Sequence, residues 1–283
     1  MIEQLALDAS IVGEETGPVE QTLDARWLMA YSAGLGETDA RYYDTAAAQG
    51  VIAHPLFPVC YEWPLAQPLR KLAALKPLFP RLLHAQHDLA IHRPLRAGET
   101  VRTVARIAAV AQRRPGAFVV FQFETRDAMG ELVTVSDFGA LYRGVRVEGA
   151  DRLPAEGLED PPAHRDALPS VGEIAVAATA AHVYSECARI WNPIHTDVAY
   201  ARAAGLPGII LHGTATLALS ISRALRALGV DPAGVRRVRC RFAGMVDMPS
   251  TLTVHAALIQ GTVLFETRNA RGEPVIARGG LTL

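Results

Sequence analysis

Apolar and polar residues alternate over several stretches of the chain. Val119, Phe121, Phe123 and Thr125 fall on one face of a period-two pattern, with Val120, Gln122, Glu124 and Arg126 on the other. Val238, Cys240 and Phe242 oppose Arg239 and Arg241 in the same way, and Leu252, Val254, Ala256 and Leu258 form a further apolar row. Such alternation predicts half-buried strands. Turn residues between successive runs, including Gly130 and Gly272, predict antiparallel hairpins. The period changes over 213–228, "GTATLALSISRALRAL", where Leu217, Ile221, Leu225 and Leu228 keep helical spacing. Most of the other residues there are Ala, Ser or Thr, so this helix needs burial on most sides. A curved antiparallel sheet wrapped around it would supply that. A shorter helix is predicted over 198–204, capped by Thr196 or Asp197 and ended by Gly205.

The pattern occurs twice. "QGVIAHPLFPVCYEWPL" parallels "LPGIILHGTATLALSI", "RPLRAGETVRTVARI" parallels "RFAGMVDMPSTLTVHAAL", and "VVFQFETRDAMGELVTVSDFGALY" parallels "VLFETRNARGEPVIARGGLTL". Between the copies, residues 146–172 carry Pro154, Pro161, Pro162 and Pro169, many acids and no apolar period, which is linker composition. The expected organisation is a first unit over 1–147, a linker over 148–172 and a second unit over 173–283. Each unit is one helix cradled by strands, an α+β arrangement of two antiparallel sheets.

Composition narrows the function classes. The 283 residues suffice for two ordinary domains, and half of them are hydrophobic. A formal net charge of −1 gives no reason to expect nucleic acid or an anionic membrane as a partner. The start "MIEQLALDAS" is a poor signal peptide, and no run approaches the roughly 20 apolar residues of a membrane span. Cys60, Cys187 and Cys240 are widely spaced, as expected for reduced, buried thiols in a cytoplasmic protein. No G-x-G-x-x-G after a strand, no phosphate-binding G-x-x-x-x-G-K-[ST] and no G-x-S-x-G occurs. Nicotinamide and ATP cofactors are therefore not indicated, and the commonest serine-hydrolase signal is missing.

The candidate chemistry is concentrated in "RIWNPIHTD", residues 189–197, followed by "YARAAGLPGIILHG". This stretch resembles the MaoC-like dehydratase, or (R)-specific enoyl-CoA hydratase, family of the hotdog fold. The duplicated halves resemble its double-hotdog members, in which the C-terminal copy keeps the site. The resemblance implies reversible hydration of a 2-enoyl-CoA, equivalently dehydration of a 3-hydroxyacyl-CoA, with coenzyme A present only as part of the substrate. It implies that His195 is the general acid–base group, that Asn192 holds the water, and that the Gly213 backbone N–H faces the thioester carbonyl. A helix N-terminus independently suits that last role, because its N–H groups lack intrahelical acceptors and carry partial positive charge. Pro55 stands where the first copy would need the same N–H, so one site is expected, in the second copy.

One residue departs from the family pattern D-x-N-P-[LI]-H. Its aspartate falls at Ile190, which can neither activate water nor take a proton. Three readings follow: Glu186, Asp197 or an acid of the first half substitutes; His195 acts as base and acid in turn; or the cleft binds an acyl thioester without hydrating it. The alternatives to a hydratase are thus a catalytically weak acyl-CoA-binding protein and, by fold analogy alone, a thioesterase. Asp197 reads better as a helix cap than as a catalyst.

His212 precedes Gly213 and corresponds to His54 in the repeat, and it is a candidate substrate contact or a buried structural histidine. Arg236, Arg237, Arg239 and Arg241 form a basic cluster: either a solvated strand face or, through Arg239 and Arg241, a seat for coenzyme A phosphates. His84, His87 and His92 fit no metal-ligand spacing; on a regular strand His84 and His92 share one face and His87 the other. Further association into a homodimer is left open by the sequence.

Overall fold

The computed structural model describes residues 5–155, 159–163 and 167–283, so parts of the linker expected over 148–172 lie outside the described residues. The first half runs through β1 (Ala6–Asp8), β2 (Glu15–Thr22), α1 (Ala25–Gly34), α2 (Pro58–Arg70), β3 (Leu82–Ile91), β4 (Thr100–Arg113), β5 (Gly116–Asp127), β6 (Leu132–Arg143) and β7 (Arg146–Glu148). The second runs through β8 (Ser170–Val176), α3 (Ala180–Ala188), α4 (Val198–Ala203), α5 (Gly213–Leu228), β9 (Arg237–Phe242), β10 (Ser250–Ile259), β11 (Thr262–Arg268) and β12 (Pro274–Thr282).

Each half contributes five antiparallel strands, and the two sets join edge to edge. The order is β2-β4-β5-β6-β3-β9-β12-β11-β10-β8, one ten-stranded sheet. The seam is the antiparallel pair β3–β9, with Gln86 opposite Arg241, His87 opposite Cys240 and Leu89 opposite Val238. Joining there satisfies one edge of each five-stranded set and leaves β2 and β8 as the outer edges. β1 and β7 form a separate parallel pair, so the beginning of the proline-rich stretch is structured.

The expected inward rows are buried. Val119, Phe121, Phe123 and Thr125 are all inside, as are Val238, Cys240, Leu252, Val254 and Ala256. Leu258 breaks its row: it is exposed at the hairpin end of β10, beyond the reach of α5. α5 spans the residues its periodicity predicts, with Gly229 closing it in the left-handed region at φ 64°. Its small residues are buried nearly all round, and Ser220 reaches across to the Thr267 hydroxyl on β11 at 2.7 Å. Leu217 is fully buried in this packing. Leu217→Ala is expected to cost about 2–5 kcal/mol, read as a lower denaturant midpoint at unchanged slope.

α1 and α3 pack on each other near the boundary between the halves. Trp27 Nε1 donates to the Cys187 carbonyl at 3.1 Å, and the Tyr31 and Tyr184 hydroxyls meet at 3.4 Å. The three cysteines are free. Among the described residues no helix is long and apolar enough to cross a membrane.

Candidate active site

The "WNPIHTD" run folds as two successive caps. Asn192 caps a 3₁₀ turn over Pro193–His195, its Oδ1 accepting from the Ile194 N–H at 3.5 Å. Asp197 caps α4 by accepting from the N–H groups of Ala199 and Tyr200 at 2.8 and 3.1 Å. The side-chain N–H groups of Asn192 have no partner among the described residues. These turns hold His195 against the start of α5. His195 Nδ1 lies 2.8 Å from the Ile210 carbonyl, which accepts only if Nδ1 carries the proton. The lone pair is therefore on Nε2, which has no partner among the described residues.

The His195 ring stacks on His212, with centroids 3.7 Å apart and planes 25° from parallel. Beneath it, His212 Nε2 meets the Ser185 hydroxyl at 3.2 Å, and Tyr184 covers its other side. His212 is buried, and its Nδ1 has no hydrogen-bond partner among the described residues. Burial lowers the His195 pKa to about 4, against the pull of the Ile210 carbonyl. Burial lowers that of His212 further, to about 2, with His195 as the next cause. Both rings are thus neutral near pH 7. His212, expected as a substrate contact or a buried structural histidine, lies buried behind the His195 ring and stacks on it.

Gly213 is the first residue of α5. Its backbone N–H belongs to the first turn, whose donors have no intrahelical acceptor. A side chain here would meet the Phe242 ring at 3.2 Å, so glycine keeps the approach open. Asn192, His195 and Gly213 are thus held by the two ends of one segment, tied together by the His195–Ile210 bond.

No substitute for the absent aspartate stands beside these groups. Ile190 is buried in the main apolar core. Glu186 is exposed and accepts from Trp191 Nε1 at 3.2 Å, while Asp197 is spent on its cap. Among the described residues no carboxylate hydrogen-bonds or ion-pairs with His195 or His212. Of the first-half acids, Glu62 is buried and accepts from the Ser136 hydroxyl at 2.5 Å.

Arg239 and Arg241 are not brought to this site. They alternate on β9 with core-facing Val238 and Cys240 and so lie on the sheet face opposite α5. Arg239 pairs with Glu159 at 3.0 Å and Arg241 with Asp160, so the linker already neutralises both. That geometry corrects the expectation of a phosphate seat there. The histidine faces also differ from expectation. A register shift in the β3–β6 pairing between His84 and Gln86 puts His84 and His87 side by side, with ring centroids 5.5 Å apart. His54, the counterpart of His212, is buried with Nε2 3.2 Å from the Ser222 hydroxyl.

Comparison with known proteins agrees with this architecture. The MaoC like domain family matches residues 167–277, and the FAS1-like, dehydratase domain region matches residues 10–135. The fold is of double-hotdog type, as in solved MaoC-like structures. The chain's second half carries a match to the MaoC like domain. It is 27% identical over 209 residues to enoyl-CoA hydratase 2, peroxisomal, of Arabidopsis thaliana, covering 69% of this chain and 66% of that protein. It is 30% identical over 179 residues to peroxisomal multifunctional enzyme type 2 of Drosophila melanogaster, covering 62% of this chain and 30% of that one. The chain therefore spans less than two thirds of these relatives' length. The crystal structure of a MaoC-like dehydratase from Phytophthora capsici superposes with TM-score 0.81 at 23% identity over 96% of each chain.

Proposed function

We propose that the protein reversibly hydrates a 2-enoyl-CoA thioester. The observation that carries this reading is the tautomer of His195: a free Nε2 lone pair, fixed by the Ile210 carbonyl, beside the open Gly213 N–H. The name of the Arabidopsis relative, an enoyl-CoA hydratase, supports the same substrate class. The thioester carbonyl accepts from Gly213 N–H. Asn192 donates to the attacking water, and His195 Nε2 takes a proton as the water oxygen bonds to the β-carbon. The electron pair of the double bond moves to the carbonyl oxygen as an enolate, held by the helix N-terminus. The resulting imidazolium then protonates the α-carbon on the same face, and the product is the 3-hydroxyacyl thioester. A single group serves as base and acid, which accounts for a site without a neighbouring carboxylate. Burial disfavours the imidazolium, and the enolate opposite it offsets that cost.

Neither a metal nor a redox cofactor enters this scheme. A homodimer of the chain and a cytoplasmic location belong to the same proposal; the free cysteines support the latter. Hydration is distinguished from hydrolysis by following both products from crotonyl-CoA. The expected outcome is an ester heavier by one water with no free thiol released; free coenzyme A as the main product would favour a thioesterase. Gly213→Ala crowds Phe242 and the approach to the donor, so kcat/KM is expected to fall about 10–10²-fold without loss of fold. Steady-state kinetics alongside circular dichroism measures this.

A further inference from the structure

Arg70 ends α2 almost wholly buried, with a relative exposure of 6%. Its guanidinium lies 4.8 Å from the Trp63 ring centroid and 5.0 Å from that of Phe138. Among the described residues it makes no hydrogen bond or ion pair, and its Nε is buried without a partner. A guanidinium remains charged in a protein, and a buried charge left unpaired is strongly unfavourable. Two aromatic faces compensate only part of that cost. The neighbouring polar groups do not close the account. The Tyr142 hydroxyl, His84 Nε2 and both His87 nitrogens are also buried without partners, and no carboxylate is among them. Arg70 and Tyr142 offer donors, and what is missing is an acceptor with negative charge.

The place of this cluster relative to the active site is fixed by ring contacts. The Phe242 ring stands 3.2 Å from where a Gly213 side chain would begin. Phe242 lies against His84 at a centroid distance of 4.2 Å, His84 stacks on Phe138 at 3.6 Å, and Arg70 lies over Phe138. These ring contacts link the start of α5 at Gly213 to the unpaired guanidinium through packed side chains.

Resting on the proposed function, we infer that the preferred substrate is a short-chain acyl thioester whose far end carries a carboxylate, and that Arg70 is the residue that recognises it. A ligand anchored at Gly213 reaches a buried group only with its acyl end, because the charged phosphates of coenzyme A need solvent or ion partners that the interior lacks. Arginine suits a carboxylate through paired N–H donors.

Binding and turnover separate this inference from the reaction. Glutaryl-CoA and valeryl-CoA have the same chain length and differ in the terminal carboxylate, and neither can be hydrated. Calorimetric titration is expected to show glutaryl-CoA binding the native protein about 10- to 100-fold more tightly, the worth of a charged hydrogen bond. Arg70→Met should abolish that preference while leaving valeryl-CoA affinity unchanged, and Arg70→Lys should keep part of it. Free glutarate, titrated separately, should bind far more weakly than the thioester; equal binding would point to a free carboxylate as ligand and overturn the inference. Equal affinity of the native protein for the two esters, or an equal loss for both on Arg70→Met in a protein whose melting temperature is maintained, would also overturn it. Failure to bind either ester overturns the inference and the proposed function together. The matching 2-enoyl esters are assayed in parallel. Hydration without carboxylate preference leaves the proposed function standing and removes the role of Arg70; preference in binding without hydration does the reverse.

Discussion

Replacing His195 by alanine is expected to lower kcat for enoyl-CoA hydration by at least about 10²–10⁴-fold, with KM changed much less. The asymmetry follows from the geometry. In the proposed mechanism His195 handles the proton in both half-steps, whereas ground-state binding rests on the Gly213 N–H, which the substitution leaves in place. The Ile210 carbonyl loses its partner, but it lies at a part-buried position where water can replace the ring, so the fold should persist. Comparable loss in kcat/KM with kcat intact would mean that His195 only binds substrate. A substitution at Glu186 or Asp197 should cost little activity, since one carboxylate holds Trp191 at the surface and the other caps α4.

The second large effect is acid unfolding. His54, His87 and His212 are essentially fully buried, and burial lowers their pKa values to about 4, 4 and 2. An unfolded histidine titrates near 6.5, so below that pH the unfolded chain takes up protons that the folded chain refuses. Stability from these groups is fully present above about pH 6.5 and is lost as pH falls toward the folded values. Three such groups remove about 4 kcal/mol per pH unit, against a typical total of roughly 5–15 kcal/mol. Cooperative unfolding with a midpoint near pH 5 is expected, followed by circular dichroism. His87 makes the most informative variant because neither of its nitrogens has a partner. His87→Leu should shift the midpoint to lower pH; an unchanged midpoint would contradict this account. Glu62 acts in the opposite sense. Burial raises its pKa to about 8, with the Ser136 hydroxyl opposing, so its contribution is present below about pH 4.5 and lost as pH rises through 8. Stability should therefore peak near pH 6.5, and Glu62→Gln should flatten the alkaline side.

Much of the architecture is written locally. The helical spacing of Leu217, Ile221 and Leu225, the alternation around Phe121 and Phe123, and Gly130 and Gly272 at left-handed turns each specify their element without reference to distant residues. The double repeat is legible for the same reason. The β3–β9 seam is not, because pairing between strands about 150 residues apart leaves no local pattern. The shift at Gln86 is a single-residue irregularity that redirects His84, and strict alternation cannot anticipate it. Within the candidate site, Asn192, His195 and Gly213 are proposed from one motif, and the structure ties its two ends together through the His195–Ile210 bond. Ser185, which orients His212, sits on a helix with no distinctive sequence mark. Arg70 is hidden differently: in "PLRKL" at a helix end, a cation reads as solvated, and only the surrounding Trp63, Phe138 and Tyr142 reveal it as buried. Arg239 and Arg241 show the converse, since alternation places them on one face but cannot tell which face holds the chemistry.

The central claim is that water addition runs on His195, Asn192 and the Gly213 N–H with no protein carboxylate at hand. The most direct test is a crystal structure of the native protein with valeryl-CoA, which cannot be hydrated. The account predicts a thioester oxygen about 2.7–3.1 Å from Gly213 N, the β-carbon facing His195 Nε2 and the Asn192 amide, and Ile190 still in the core. A thioester bound away from Gly213, or a carboxylate of the chain drawn within hydrogen-bond distance of His195 Nε2, would contradict it.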